Sequence, residues 1–163
     1  MHIRTARLTD AEAIRGIYNR AIGTISTFDL EPRSLEEQQQ WLAMRSGAHV
    51  VLVADENGIV AGFASLSPYR DRPAYRTTVE NSVYVDESHQ GKGVGKQLMT
   101  ELIDTARDHG FHSMIARIVT GNASSIALHR GLAFEIVGVE KEVGRKFGRW
   151  LDVVVMQRML DTR

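Results

Sequence analysis

Residues 90–96, Gln-Gly-Lys-Gly-Val-Gly-Lys, place three glycines and two lysines between an alternating apolar run and a helix-like one. Such a pattern suits an anion. The first turn of a helix has N–H groups without intrahelical partners and carries the positive end of the helix dipole. Glycines let the backbone curl around a phosphate with no Cβ in the way. Gln90, Gly91, Gly93, Val94 and Gly95 form the loop, and Lys92 and Lys96 add positive charge. Spacing excludes two familiar phosphate loops. The mononucleotide loop needs four residues between its first glycine and the Gly-Lys pair, then Ser or Thr. Gly91 and Gly95 have three between them, and Gln97 stands where that hydroxyl belongs. The dinucleotide fingerprint, Gly-x-Gly-x-x-Gly, belongs near the first strand of its fold. Here the glycines fall at 91, 93 and 95, in mid-chain. The plainer alternative is a tight strand-to-helix turn, but three glycines exceed what a turn needs.

Just upstream, residues 78–85 read TVENSVYV. Strand alternation puts Glu80, Ser82 and Tyr84 on one face and Val79, Val83 and Val85 toward the other. A carboxylate in so apolar a strand has a raised pKa if buried, which suits a proton acceptor. The competing role for Glu80 is a structural ion pair with Arg72 or Arg76.

The elements that must position these groups are legible in outline. A short strand is expected over 2–8. Thr9 or Asp10 is a candidate cap for a helix from Ala11, with Ile14, Ile17, Tyr18, Ala21 and Ile22 on its buried face. Ser34 and Glu37 form a capping box for a helix to about Met44, with Trp41 and Leu42 facing the core. Residues 49–55 and 59–68 make a hairpin around Glu-Asn-Gly. The loop YRDRPAYR precedes the 77–85 strand. A helix covers 93–109 and stops at Gly110. A strand covers 112–120, and a short helix runs from the cap Asn122 to Gly131. Late strands over 134–143 and 150–160 flank GRKFGR. The order implies an α/β fold with a mixed sheet and helices on its faces, in a single domain over 1–163.

The chain has 163 residues, 20 basic against 20 acidic, and a sequence pI near 7.0. No field of one sign covers it, so nucleic-acid binding is not indicated. The absence of cysteine excludes disulfides, thiolate metal sites and a cysteine nucleophile. It fits a cytoplasmic location. No leader-like or membrane-length apolar run is present, and the six histidines show no metal-binding spacing.

Gln-x-x-Gly-x-Gly after a VYV strand resembles the coenzyme A loop of the GNAT acetyltransferases. The resemblance extends through EAIRGIYNRAI, STFDLEP, HVVLVA, GFASL, RPAYRTTVENSVYV, NASSIALH and GRKFGRWLDVVVMQ. Together these runs resemble the phosphinothricin and methionine sulfoximine N-acetyltransferase branch. The resemblance implies the GNAT acyl-CoA N-acyltransferase fold with splayed central strands. It implies acetyl-CoA as co-substrate, no metal, and a small amino-acid-like amine as acceptor. It casts Glu80 as the catalytic base, acting directly or through water. Backbone groups of Val83, Tyr84 and Val85 then meet the pantetheine arm, the glycine loop holds the pyrophosphate, and Asn122 and Ser125 also serve the coenzyme. Phe28, Arg72, Pro73, Ala74, Tyr75, Glu80, Asn81 and Ser82 are the expected acceptor contacts. Arginine suits an acceptor carboxylate through a bidentate contact. The proton donor to the leaving thiolate stays open among Ser125, His129 and water. The basic KEVGRKFGRW segment is either a solvated hairpin or, by resemblance, part of a homodimer contact near the active site.

The chain also departs from the branch. Asn81 replaces the histidine of TVEHSVYV, and ARIVTGNASS replaces AGIDAENEAS. Ala133 stands in GLAFEI where Leu-Gly-Phe is common. These differences bear on acceptor identity more than on reaction type. Two alternatives keep the fold: acetylation of a peptide or protein amine, and a non-catalytic coenzyme A-binding regulatory module.

Overall fold

A computed structural model describes residues 1–45 and 47–160. Seven strands form one mixed sheet: β1 (His2–Thr5), β2 (Val51–Glu56), β3 (Ile59–Pro68), β4 (Thr78–Val85), β5 (Ser113–Val119), β6 (Glu135–Lys146) and β7 (Arg149–Met159). Their order is β1-β2-β3-β4-β5-β7-β6. All neighbours are antiparallel except β4 and β5.

Helices α1 (Ala11–Ile22) and α2 (Leu35–Met44) cover one face. There Ile14, Ile17, Tyr18 and Leu42 pack on Val51, Val53 and Phe63. Helices α3 (Val94–Asp108) and α4 (Ala123–Gly131) belong to the opposite face, where Leu98, Met99 and Leu102 meet Leu66, Met114 and Met156. The 3.6-residue period of the apolar positions in α1 and α3 decides which side each helix buries.

Strand β4 divides its side chains between the two faces. Tyr84 joins the α1 side, 5.3 Å from the rings of both Tyr18 and Phe63. Val79, Val83 and Val85 join the α3 side. The parallel ladder between β4 and β5 is short, pairing Thr78–Glu80 with Ser113–Ile115. β4 continues along β3 to Val85, while β5 continues along β7 to Val119. The middle of the sheet therefore forks just beyond Glu80.

Local expectations hold at α2, where Ser34 Oγ accepts from Glu37 N–H and the Glu37 carboxylate accepts from Ser34 N–H. At α1 they need correction. Asp10 occupies the cap position but makes no side-chain cap bond to the helix. A 3₁₀ turn over Leu8–Asp10 precedes α1, and the carboxylate accepts from Arg7 N–H at 2.7 Å and from the Arg4 guanidinium. The segment GRKFGR is not a loop either. β6 and β7 extend into it, leaving Phe147 and Gly148 as a two-residue turn, both with positive φ, as a tight hairpin requires.

Gly62 of β3 is where backbones approach closely under the fork. A Cβ there would lie 2.8 Å from Tyr84 O and 3.2 Å from Leu98 Cδ1. Gly62→Ala is expected to cost about 1–3 kcal/mol, because it pushes on a strand backbone rather than a flexible side chain. Calorimetric melting should show the midpoint fall by several degrees, on the order expected for a chain of this size. An unchanged midpoint would refute the close approach.

Candidate active site

A cleft of about 670 Å³ occupies the fork and runs to the starts of α3 and α4. Asn81, Ser82, Val83, Tyr84 and Val85 form one bank, and Ala116, Arg117, Ile118 and Val119 the other. The bank of β4 that faces β5 has lost its ladder partner there, so strand amides and carbonyls border open space.

At the far end lies the glycine loop. Gln90, Gly91, Gly93, Val94 and Gly95 line the cleft; Lys92 and Lys96 do not. Gly91 and Gly93 have φ of +75° and +81°, and no heavy atom lies within 4 Å of a Cβ built on either. Glycine is needed there for conformation rather than for want of room. Gly95 has another task. Its missing Cβ would sit 3.3 Å from Leu128 Cδ2, so it lets α3 pass close to α4. The first intrahelical bond to Gly93 O comes from Gln97 N–H, so the amides of Val94, Gly95 and Lys96 precede the helix ladder. Asn122 caps α4 by accepting from Ser125 N–H at 3.3 Å, and both residues line the cleft.

Glu80 stands at the vertex, on the last rung of the ladder. It faces the same side as Tyr84. Burial pushes its carboxyl above the ordinary carboxylate value; Arg117 opposes the shift and Glu140 adds to it. Its ion-pair partner is Arg117, with Nε 3.7 Å from Glu80 Oε1, and not Arg72 or Arg76. Arg117 Nη2 in turn lies 2.5 Å from Glu140 Oε1.

Asn81 points the other way. The residue is 7% exposed, and its Oδ1 lies 3.0 Å from Nε2 of His129, itself 1% exposed. His129 Nδ1 lies 2.8 Å from the Ser125 carbonyl, which can only accept. Burial lowers the affinity of His129 for a second proton, so the ring is neutral with its one N–H on Nδ1. Nε2 then accepts, and Asn81 must present its NH2. Rotating the amide by half a turn does this and gives a partner to Nδ2, which has none among the described residues as placed. Asn81 is thus a buried link between β4 and α4.

The other expected acceptor contacts are dispersed. Ser82 lines the cleft; Glu80 stands just behind its lining, next to Asn81, and Phe28, Arg72, Pro73, Ala74 and Tyr75 are outside it as well. Pro73, Ala74 and Tyr75 form a 3₁₀ turn, with Tyr75 against Tyr69 at 5.4 Å. Phe28 belongs to the loop after α1 and packs so tightly on Gly144 that a Cβ there would come within 2.4 Å of its ring. Lys146 holds that loop. Its side chain donates to the carbonyls of Thr27 at 2.7 Å and Asp29 at 3.0 Å. Lys146 is 4% exposed, so this part of the basic segment is not solvated. Arg117, Glu140 and Lys146 are the groups that sequence reasoning missed. No short-range pattern announces contacts between strands so far apart in the chain.

The family model of the acetyltransferase (GNAT) domain matches residues 3–155. The chain belongs to the GNAT acetyltransferases. This GNAT chain is 45% identical over 162 residues to the L-methionine sulfoximine/L-methionine sulfone acetyltransferase of Pseudomonas paraeruginosa, covering 98% of this chain and 94% of that one. A GNAT superfamily phosphinothricin acetyltransferase from Sinorhizobium meliloti, solved in complex with AcCoA, is 41% identical with a TM-score of 0.93 and covers 98% and 88% of the two chains. A ribosomal-protein-alanine N-acetyltransferase from Brucella melitensis is 44% identical with a TM-score of 0.96, covering 98% and 100%. The fold is that of the family, splayed central strands included. Among the described residues, no helix is long and apolar enough to cross a membrane.

Proposed function

We propose that this GNAT chain moves the acetyl group of acetyl-CoA to the amine of a small amino-acid-like acceptor, of the methionine sulfoximine, methionine sulfone or phosphinothricin type. The carrying observation is the fork between β4 and β5, with a helix start freed by two positive-φ glycines at one end and a half-buried carboxylate at its vertex. These residues fit acetyl-CoA. The early amides of α3 meet the pyrophosphate, and the unpaired bank of β4 takes the pantetheine arm and thioester.

An ammonium has no lone pair, so Glu80 first takes one of its protons, directly or through water. The amine nitrogen then attacks the thioester carbonyl carbon. A C–N bond forms, and the carbonyl oxygen takes on charge beside backbone N–H groups of β4. The C–S bond breaks as the intermediate collapses. Two protons leave the nitrogen over the cycle: the one that Glu80 takes passes to solvent, and the one lost as the intermediate collapses replaces, directly or through water, the proton that Ser125 or water gives to the coenzyme thiolate. His129 is not that donor, because both of its ring nitrogens are engaged.

The test is thiol release from acetyl-CoA in the presence of methionine sulfoximine, methionine sulfone, phosphinothricin, ordinary amino acids, polyamines and a peptide with N-terminal alanine. Turnover on the amino-acid analogues above the rest supports the proposal. Preference for the peptide favours the second reading, a protein amine, which the similarity to the ribosomal-protein-alanine acetyltransferase keeps in play. Coenzyme binding with no turnover on any amine would point to a regulatory module.

We also infer a homodimer through the β6–β7 hairpin. β6 is one of the two edges of the sheet, and Val137, Val143, Phe147 and Trp150 are exposed on that hairpin. Exposed apolar groups so grouped mark a contact surface. Sedimentation should give twice the 18.2 kDa chain mass, and Trp150→Glu should shift it toward the monomer. A monomeric wild-type chain at micromolar concentration refutes the dimer.

A further inference from the structure

The proposed acceptor carries an ammonium and a carboxylate on one carbon, so its site needs an anion and a cation side by side. Glu80 supplies the anion. The sequence offers Arg72 and Arg76 as the cation, but among the described residues neither pairs with Glu80, and Arg76 Nε bonds to Pro73 O within its own turn. Lys146 is spent on two loop carbonyls. Arg117 is where the chemistry needs it. It lines the cleft two residues past the last β4–β5 rung, and its Nε lies 3.7 Å from Glu80 Oε1.

The guanidinium lies between two carboxylates from different strands, Glu80 of β4, 3.7 Å from Nε, and Glu140 of β6, close to Nη2, as ion pairs without hydrogen-bond geometry. A guanidinium has five N–H donors in one plane, so these ion pairs leave its donors open to a ligand. Its side chain is 36% exposed, open enough to meet a ligand yet tethered by both neighbours. Without acceptor, Glu140 balances the cation. With acceptor, a substrate carboxylate can share or take over that place, because two carboxylates compete for one planar fork.

We propose that Arg117 is a specificity-determining residue that receives the acceptor's carboxylate, so that the site selects zwitterionic α-amino acids over plain amines. The inference rests on the acetyl-transfer reading above and deepens it by assigning the second half of acceptor recognition.

The experiment compares methionine sulfone with its carboxamide, which keeps the amine and side chain but removes the negative charge. Thiol release gives kcat and KM for both acceptors in the wild type, Arg117→Gln, Arg117→Lys and Glu140→Gln. Acetyl-CoA calorimetry and melting curves confirm that each variant is folded. The wild type should favour the acid by about tenfold or more in kcat/KM, the scale of a charged hydrogen-bonded contact. Arg117→Gln should bring that ratio close to one, mainly through KM for the acid. Arg117→Lys, which keeps the charge and loses the fork, should fall between. Glu140→Gln removes the competitor and should lower KM for the acid while leaving that for the carboxamide unchanged.

An acid-to-amide ratio that stays the same in Arg117→Gln overturns the assignment, as does an equal fall in kcat on both acceptors, which would mean that Arg117 only orients Glu80. If Arg117→Gln does not fold, an unaltered ratio in both Arg117→Lys and Glu140→Gln overturns it equally. Thiol release from both acceptors without preference defeats the inference and leaves acetyl transfer standing. No thiol release with any amine defeats the acetyl-transfer reading, and the inference falls with it.

Discussion

Glu80→Gln is expected to lower kcat by about 100- to 10,000-fold, the range for removing a positioned general base, while the Kd for acetyl-CoA changes little. The substitution preserves shape and removes only the ability to take a proton. Glu80 is at the vertex and the glycine loop at the other end, so coenzyme contacts stay intact. Stopped-flow thiol release and calorimetry on the same preparation separate the two quantities. The wild-type pH profile carries the same prediction. The base must be ionised to act, and burial raises its carboxyl above the ordinary value near 4.3. Activity should therefore fall on the acid side through a pKa above that value, and the limb should vanish in Glu80→Gln. Equal turnover in mutant and wild type would remove Glu80 from the mechanism.

Gly93→Val is expected to weaken acetyl-CoA binding roughly 10- to 100-fold. Gly93 has φ +81°, and a β-branched residue held there is strained by about 1–3 kcal/mol. Relief of that strain moves the turn that aims the first amides of α3, so the cost appears in Kd. Gly95→Val is a useful contrast, because it acts through collision with Leu128 and should lower the melting temperature first. Unchanged coenzyme affinity in Gly93→Val, measured by calorimetry, would take the loop out of the coenzyme site.

Local patterns foretold much of this architecture. The Ser34–Glu37 box, the helix stop at Gly110 (φ +85°) and the Asn122 cap depend on residues within a few positions of each other. Period-two alternation assigned Glu80 and Tyr84 to one side of their strand and the valines to the other. What escaped depends on partners far apart in the chain. Glu80, Arg117 and Glu140 meet because the order β4-β5-β7-β6 brings three strands into register, and no window of sequence contains all three. Lys146 looked like a solvated charge because its partners are main-chain carbonyls at 27 and 29, which have no sequence signature. The 3₁₀ turn before α1 hid the true work of Asp10 for the same reason, since Arg4 reaches it from the neighbouring strand.

β4 keeps two sets of books in one octapeptide, with adjacent side chains answering to different layers of the fold. A single inserted residue early in 78–85 would shift the frame and exchange the sets, turning valines toward the α1 side and the carboxylate into the oily flank under α3. This stretch can therefore accept substitutions one at a time but not a change of length, and variation in acceptor choice should accumulate at every second position.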